Sequence, residues 1–184
     1  MYVGVVLLAP LWLPAWLERR WRLGEEWFTF AAQLLSLVPG KPGIFTRRSF
    51  YLMTIDRCAT DCHIGFGTTL SHPQVTIGPG VMIGHRCTVG SAAIGRDATI
   101  GSNVDILSGR RQHAFDRTDR PVQDQGGEFT QVRIGSNCWI GNSAVVMADV
   151  GEQCVIGAGA VVVKSIPANA VAVGNPAVVK HTRP

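Results

Sequence analysis

The sequence predicts an all-β coil of short parallel strands behind an apolar, partly helical N-terminal extension. Three observations carry that prediction. An aliphatic residue followed by glycine recurs at Ile64, Ile77, Ile83, Val89, Ile94 and Ile100, then again at Ile134, Ile140, Val150 and Ile156. Most steps are six residues, which matches neither the 3.6-residue helix nor the two-residue strand. Six residues suit one short strand plus a corner, and three such legs close a triangular turn of about eighteen. The second observation lies four places after each aliphatic position, at Val81, Cys87, Ala98, Val104, Cys138, Ala144, Cys154 and Ala160. All are small or medium-sized and apolar, as a second inward position in a narrow core requires. Third, glycine reaches 21 of 184 residues while only 16% are charged, against a usual ~25%. A helical bundle needs more charge on its outer faces. The recurrent glycine is expected at a strained corner.

Residues 1–54 form the extension. Its first seventeen residues are uncharged and mostly apolar, and a second apolar stretch runs from Trp27 to Val38. Pro10 and Pro14 are each expected to break a spanning helix, and the first stretch is shorter than the ~20 residues of a membrane span. The stretch also lacks the basic start and small-residue cleavage site of a signal peptide. Four of the five tryptophans, with Arg19, Arg20 and Arg22, lie in this extension. Two readings stay open: 1–38 packs on the body of the protein or a neighbouring subunit, or it lies in a membrane interface. In the second, the arginines place the body on the cytoplasmic side, at the inner face of the membrane.

Residues 55–184 form the coil. The repeat stops between Ile106 and Ile134, giving an inserted loop at 107–131, and the chain closes with a tail at 166–184. Val146 to Val150 spans four residues where six are expected, so one leg is shortened or looped. The insert is polar, and such loops on a solenoid usually serve a binding face. It carries His113, whose imidazole suits a general base near neutral pH; the alternative is a solvated loop histidine. His72 stands in a Ser-His-Pro step before the first clean repeat, and His85 is expected to be solvated. The five cysteines include no CxxC pair, which excludes zinc-finger and thioredoxin chemistry and fits a reduced, cytoplasmic protein. Cys87, Cys138 and Cys154 are core fillers. The net charge of +4 gives nucleic-acid binding little support.

The I-G-x-x-A/C/V-x repeat, the Asn103, Ile106, Ser108, Gly109 and His113 stretch, and the block from Ile134 through Ile156-Gly-Ala-Gly, Lys164, Ile166-Pro and Gly174-Asn-Pro-Ala together resemble the hexapeptide acyltransferase family, in particular its galactoside, maltose and polysaccharide O-acetyltransferases. The resemblance implies a left-handed parallel β-helix, where the general rule for parallel crossovers gives the right hand. It also implies a homotrimer with active sites between subunits. The implied reaction is O-acetyl transfer from acetyl-CoA to a sugar or glycan hydroxyl, in polysaccharide or lipid-linked glycan synthesis, without metal. By position it makes His113 the base and assigns His72, Asn103 and Arg110 to the acceptor. Trp139, Asn142, Ala158, Lys164 and Lys180 fall to the cofactor. N-acetylation of an amino sugar, a carbonic-anhydrase-like zinc site and a non-catalytic β-helix are the alternatives; the histidine spacing disfavours the zinc site.

Overall fold

The computed structural model describes residues 2–184, with side-chain surroundings from residue 4. Met1, at the head of the apolar 1–38 segment, lies outside them. Four helices come first: α1 (Tyr2–Leu7), α2 (Ala9–Trp21), α3 (Glu26–Ser36) and α4 (Gly40–Thr54). The chain then winds through parallel turns. The first turn is β1 (Arg57–Cys58), β2 (His63–Ile64) and β3 (Thr69–Leu70); the second is β4 (Val75–Ile77), β5 (Met82–Ile83) and β6 (Thr88–Val89). The third is β7 (Ala92–Ile94), β8 (Thr99–Ile100) and β9 (Asp105–Ile106), and after the insert comes β10 (Val132–Ile134), β11 (Trp139–Ile140) and β12 (Val145–Val146). Val150 then leads into β13 (Val155–Ile156) and β14 (Val161–Val162), and Ile166 into β15 (Ala170–Val173) and β16 (Val178–Thr182).

Every third strand as far as β12, and every second one from there to β15, stacks in register into one face of a three-sided prism. The first sheet holds β1, β4, β7 and β10; the second runs from β2 to β15 and ends on β16; the third holds β3, β6, β9, β12 and β14. Both inward positions of the repeat are buried throughout, from Ile64 to Ala172. Cys87, Cys138 and Cys154 fill the core, and each thiol donates to a corner carbonyl of the next turn, at 3.0, 2.9 and 2.9 Å.

Several expectations change. The recurrent glycine is not the strained residue. Positive φ falls two places later, at Gly80, Asp97, Asn103, Asn137 and Asn169, where Asn, Asp and Gly tolerate the left-handed conformation, and also at Arg86, Ser143 and Gln153. The recurrent glycine serves close approach instead: a Cβ on Gly141 would collide with the backbone of Ala158 one turn on. The four-residue step from Val146 to Val150 is no isolated defect. Val162 to Ile166 repeats it, and Val150 bridges to both Ile134 and Ile166. The 166–184 segment is not a loose tail, because β15 joins the second sheet and β16 covers its edge antiparallel. Nor do both prolines break a helix. The break falls at Leu8, Pro10 sits in the first turn of α2 where a missing N–H costs nothing, and Pro14 lies inside α2.

The helices cap the open end of the coil. Phe28 of α3 and Phe50 and Tyr51 of α4 are fully buried, with ring centroids 5.4–6.2 Å apart. Tyr51 Oη accepts the Leu70 N–H at 3.3 Å, and burial drives its phenol pKa well above 10. Among the described residues no helix is long and apolar enough to cross a membrane.

Candidate active site

The insert leaves the prism at the corner between the third and first sheets, after β9, and returns at β10. Val122–Asp124 forms one short 3₁₀ turn within it. Its two arms are zipped by backbone bonds: Glu128 N–H donates to Arg111 O at 2.7 Å, Ala114 N–H to Gly126 O at 3.0 Å, and Thr130 N–H to Ser108 O at 3.0 Å. This holds His113 over an open depression of about 760 Å³ lined by Arg110, Asp116, Glu128, Thr130 and Met147 among others. His113 is exposed and has no hydrogen-bond partner among the described residues. An imidazole so placed is free to meet an incoming hydroxyl.

The residues assigned to the cofactor gather elsewhere. Trp139 points outward from β11 and is 58% exposed. Three residues on is the corner between the second and third sheets. There a ladder of side chains ties successive turns: Phe66 N–H donates to His85 Nδ1 at 3.0 Å, His85 N–H to Ser102 Oγ at 3.1 Å, and Ser102 N–H to Asn142 Oδ1 at 2.9 Å. His85 is therefore exposed yet engaged, which corrects the simple solvated reading. Asn142 has a structural role that its sequence position did not announce. The ladder stops at the next step because Ala158 has no side-chain acceptor. The N–H groups of Asn142 and Ala158 are left without partners among the described residues, at a solvent-facing corner. Backbone donors in such a position are ready for a ligand's carbonyl.

Two assigned residues fall away from their expected company. Asn103 stands at the Asn142 corner with φ 56°, so a single chain does not bring it to His113. Lys164 is exposed at the corner after β14, the insert's side of the prism, whereas Lys180 lies on β16 at the end of the Trp139 sheet. His72 also lies on the insert's corner, two turns earlier, with Phe129 of the returning arm edge-on at 5.7 Å. Its partner, Glu25, was not singled out in the sequence; the signal available was an acidic pair just ahead of an apolar helix. No group of three or more His, Cys, Asp or Glu side chains that could hold a metal occurs among the described residues.

Two family models match the chain on either side of the insert: hexapeptide repeat of succinyl-transferase over residues 74–108, and bacterial transferase hexapeptide (six repeats) over residues 131–164. Curated protein sequences give no significant match. A maltose O-acetyltransferase from Clostridium difficile 630 superposes with a TM-score of 0.74 at 24% identity over 85% of each chain. A galactoside acetyltransferase in complex with coenzyme A gives 0.69 at 22%, over 84% of this chain and 80% of that one. A hexapeptide-repeat acetyltransferase from Vibrio cholerae O1 biovar eltor, complexed with acetyl coenzyme A, gives 0.73 at 17% over 85% of each. The chain is thus a hexapeptide-repeat coil with their fold. A coil of the opposite hand would not superpose so, and the turn is left-handed like theirs.

Proposed function

We propose that the protein transfers an acetyl group from acetyl-CoA to a sugar hydroxyl, with His113 as general base. The observation that carries this reading is the insert: in a hexapeptide coil of this fold it holds an unpartnered histidine, His113, above a depression lined by polar and charged side chains. His113 accepts the hydroxyl proton as the oxygen attacks the thioester carbonyl, and Arg110 contacts the acceptor. A backbone N–H at the Asn142–Ala158 corner stabilises the developing oxyanion. Trp139 lines the pantetheine path, and Lys180 meets the phosphates as a point charge; Lys164 reaches them only from a neighbouring chain.

In one chain the His113 depression and the Asn142–Ala158 donors stand on different corners of the prism. That separation supports sites between subunits, in a trimer with the insert of one chain laid on the Trp139 sheet of the next. The solved relatives with maltose and galactoside in their names support a sugar acceptor. The cap supports contact with an anionic lipid interface at the cytoplasmic face. Trp16, Trp21, Phe30 and Leu34 are 42%, 63%, 52% and 46% exposed. Glu18 and Glu25 are engaged internally, while Arg20 and Arg22 face solvent.

The test is product mass after incubation with acetyl-CoA and candidate glycans. A gain of one acetyl group on oxygen, lost on mild alkaline treatment, is expected. A base-stable acetyl group on an amine would move the assignment to N-acetylation. Placed bases contribute about 10²–10⁴-fold, so His113→Ala lowers turnover by that order with the acetyl-CoA KM little changed. Normal turnover in the variant would remove His113 from the mechanism.

A further inference from the structure

Glu25 precedes α3 at the position whose side chain ordinarily accepts from the first helical N–H groups. It makes no such bond. Glu18 of α2 makes it instead, accepting the Trp27 N–H at 3.0 Å and the Phe28 N–H at 3.3 Å. Glu25 is thereby released to reach the coil. Its Oε2 lies 2.8 Å from His72 Nδ1, and its Oε1 accepts from Gln74 Nε2 at 3.1 Å. An ionised carboxylate only accepts, so Nδ1 carries a proton, and when the ring is neutral Nε2 keeps its lone pair. Nε2 has no partner among the described residues. Around it Glu25, Gln74, Ser91 and the 57%-exposed Phe129 form a shallow cavity of about 350 Å³.

We propose that Glu25 is a positioning residue that holds His72 in the Nδ1–H tautomer, so that Nε2 accepts a hydroxyl of a second sugar ring in the acceptor. Phe129 offers an apolar face to that ring's C–H groups. The corner bearing His72 is two turns from the corner bearing the insert, roughly 10 Å along the prism, a span that two linked sugar rings cover. The acceptor class is therefore an oligosaccharide, with one ring at His113 and the next at His72. This rests on the acetyl-transfer reading.

The experiment pairs side-chain ¹⁵N NMR of His72 with kinetics of the full chain, using the simplest disaccharide that the wild type acetylates and its reacting monosaccharide. In the wild type His72 is expected as the Nδ1–H form. Glu25→Ala releases the ring toward the Nε2–H form that an unrestrained imidazole favours. It raises the disaccharide KM roughly tenfold, the order of one lost hydrogen bond, and leaves kcat and the monosaccharide KM within about twofold. Glu25→Gln keeps the shape and an accepting oxygen. It gives a smaller KM rise of about threefold, and it carries the comparison if the alanine variant melts early. An unchanged His72 tautomer, or a disaccharide KM that stays at the wild-type value, overturns the proposal. A wild type that acetylates no sugar overturns the acetyl-transfer reading instead, and the tautomer then judges Glu25 alone.

Discussion

Arg47 is 1% exposed, although a guanidinium is the side chain that keeps its charge in proteins. Its Nε donates to Ile64 O at 3.0 Å, and its Nη1 to Leu35 O, Ser36 O and Val38 O at 3.0, 3.3 and 2.8 Å. Three of these acceptors are carbonyls at or just past the end of α3, where helices leave such groups without partners in the next turn. One guanidinium therefore welds the cap to the first turn, although burial lowers its pKa from 12.5. Arg47→Met takes a donor from four carbonyls, of which Leu35 O and Ser36 O keep the Val38 and Gly67 N–H groups, and should cost about 3 kcal/mol or more in denaturant unfolding. A loss under about 1 kcal/mol would mean the joint holds without it. His63, outward on β2, has its pKa pushed below 6.5, first by burial and then by His85, Arg47 and Arg48. The unfolded chain thus binds the proton more readily than the folded one. Stability from this group is full above about pH 6.5 and falls as pH drops through the lowered native value. His63→Gln should therefore flatten the decline of the melting temperature between pH 7 and 5, and an unchanged slope would refute the assignment.

The insert's geometry depends on one close approach between its arms. A Cβ on Gly127 would collide with the Gln112 carbonyl oxygen and lie 3.0 Å from the His113 N–H nitrogen. Gly127→Ala should open the arms at His113 and lower kcat at least tenfold, about 1.4 kcal/mol in the barrier. The melting temperature should hardly move, since the insert is outside the core. The cap is a different kind of element. Because Phe28 and Ala31 lie in the same buried cluster as Ile64 and Leu70, deleting 1–38 would strip the end of the coil, so truncation cannot test lipid contact. Trp16→Ser with Trp21→Ser leaves the packed face alone. Flotation with anionic vesicles should weaken in that double variant and be restored by neither salt nor zwitterionic lipid. Equal flotation of both proteins would count against the lipid reading and leave the exposed face to a neighbouring chain.

At the scale of the molecule, a solenoid folds by stacking and depends on few contacts distant along its axis. The parts proposed for catalysis are nonetheless separated around the prism. Light scattering should return three times the 19.8 kDa chain mass. Mixed trimers of His113→Ala and Trp139→Asp chains, each inactive alone, should regain activity at sites combining the intact halves. A monomer at micromolar concentration, or no regain on mixing, would put the whole site back on one chain.

The coil was legible in the sequence because its period is local: each turn repeats the demand for two inward apolar residues and one glycine, and Ile64 through Ala160 answer it. The insert and His113 were legible as the place where that demand lapses. The glycine's true reason was not legible, since it lies in the backbone of the next turn, as Gly141 against Ala158 shows. Nor was Asn142's bond to Ser102, which crosses 40 residues. Glu25 and His72 are 47 residues apart, and no periodicity links them. They meet only because Glu18 takes over the helix cap and α3 docks across the first turn, a consequence of packing that no local pattern encodes.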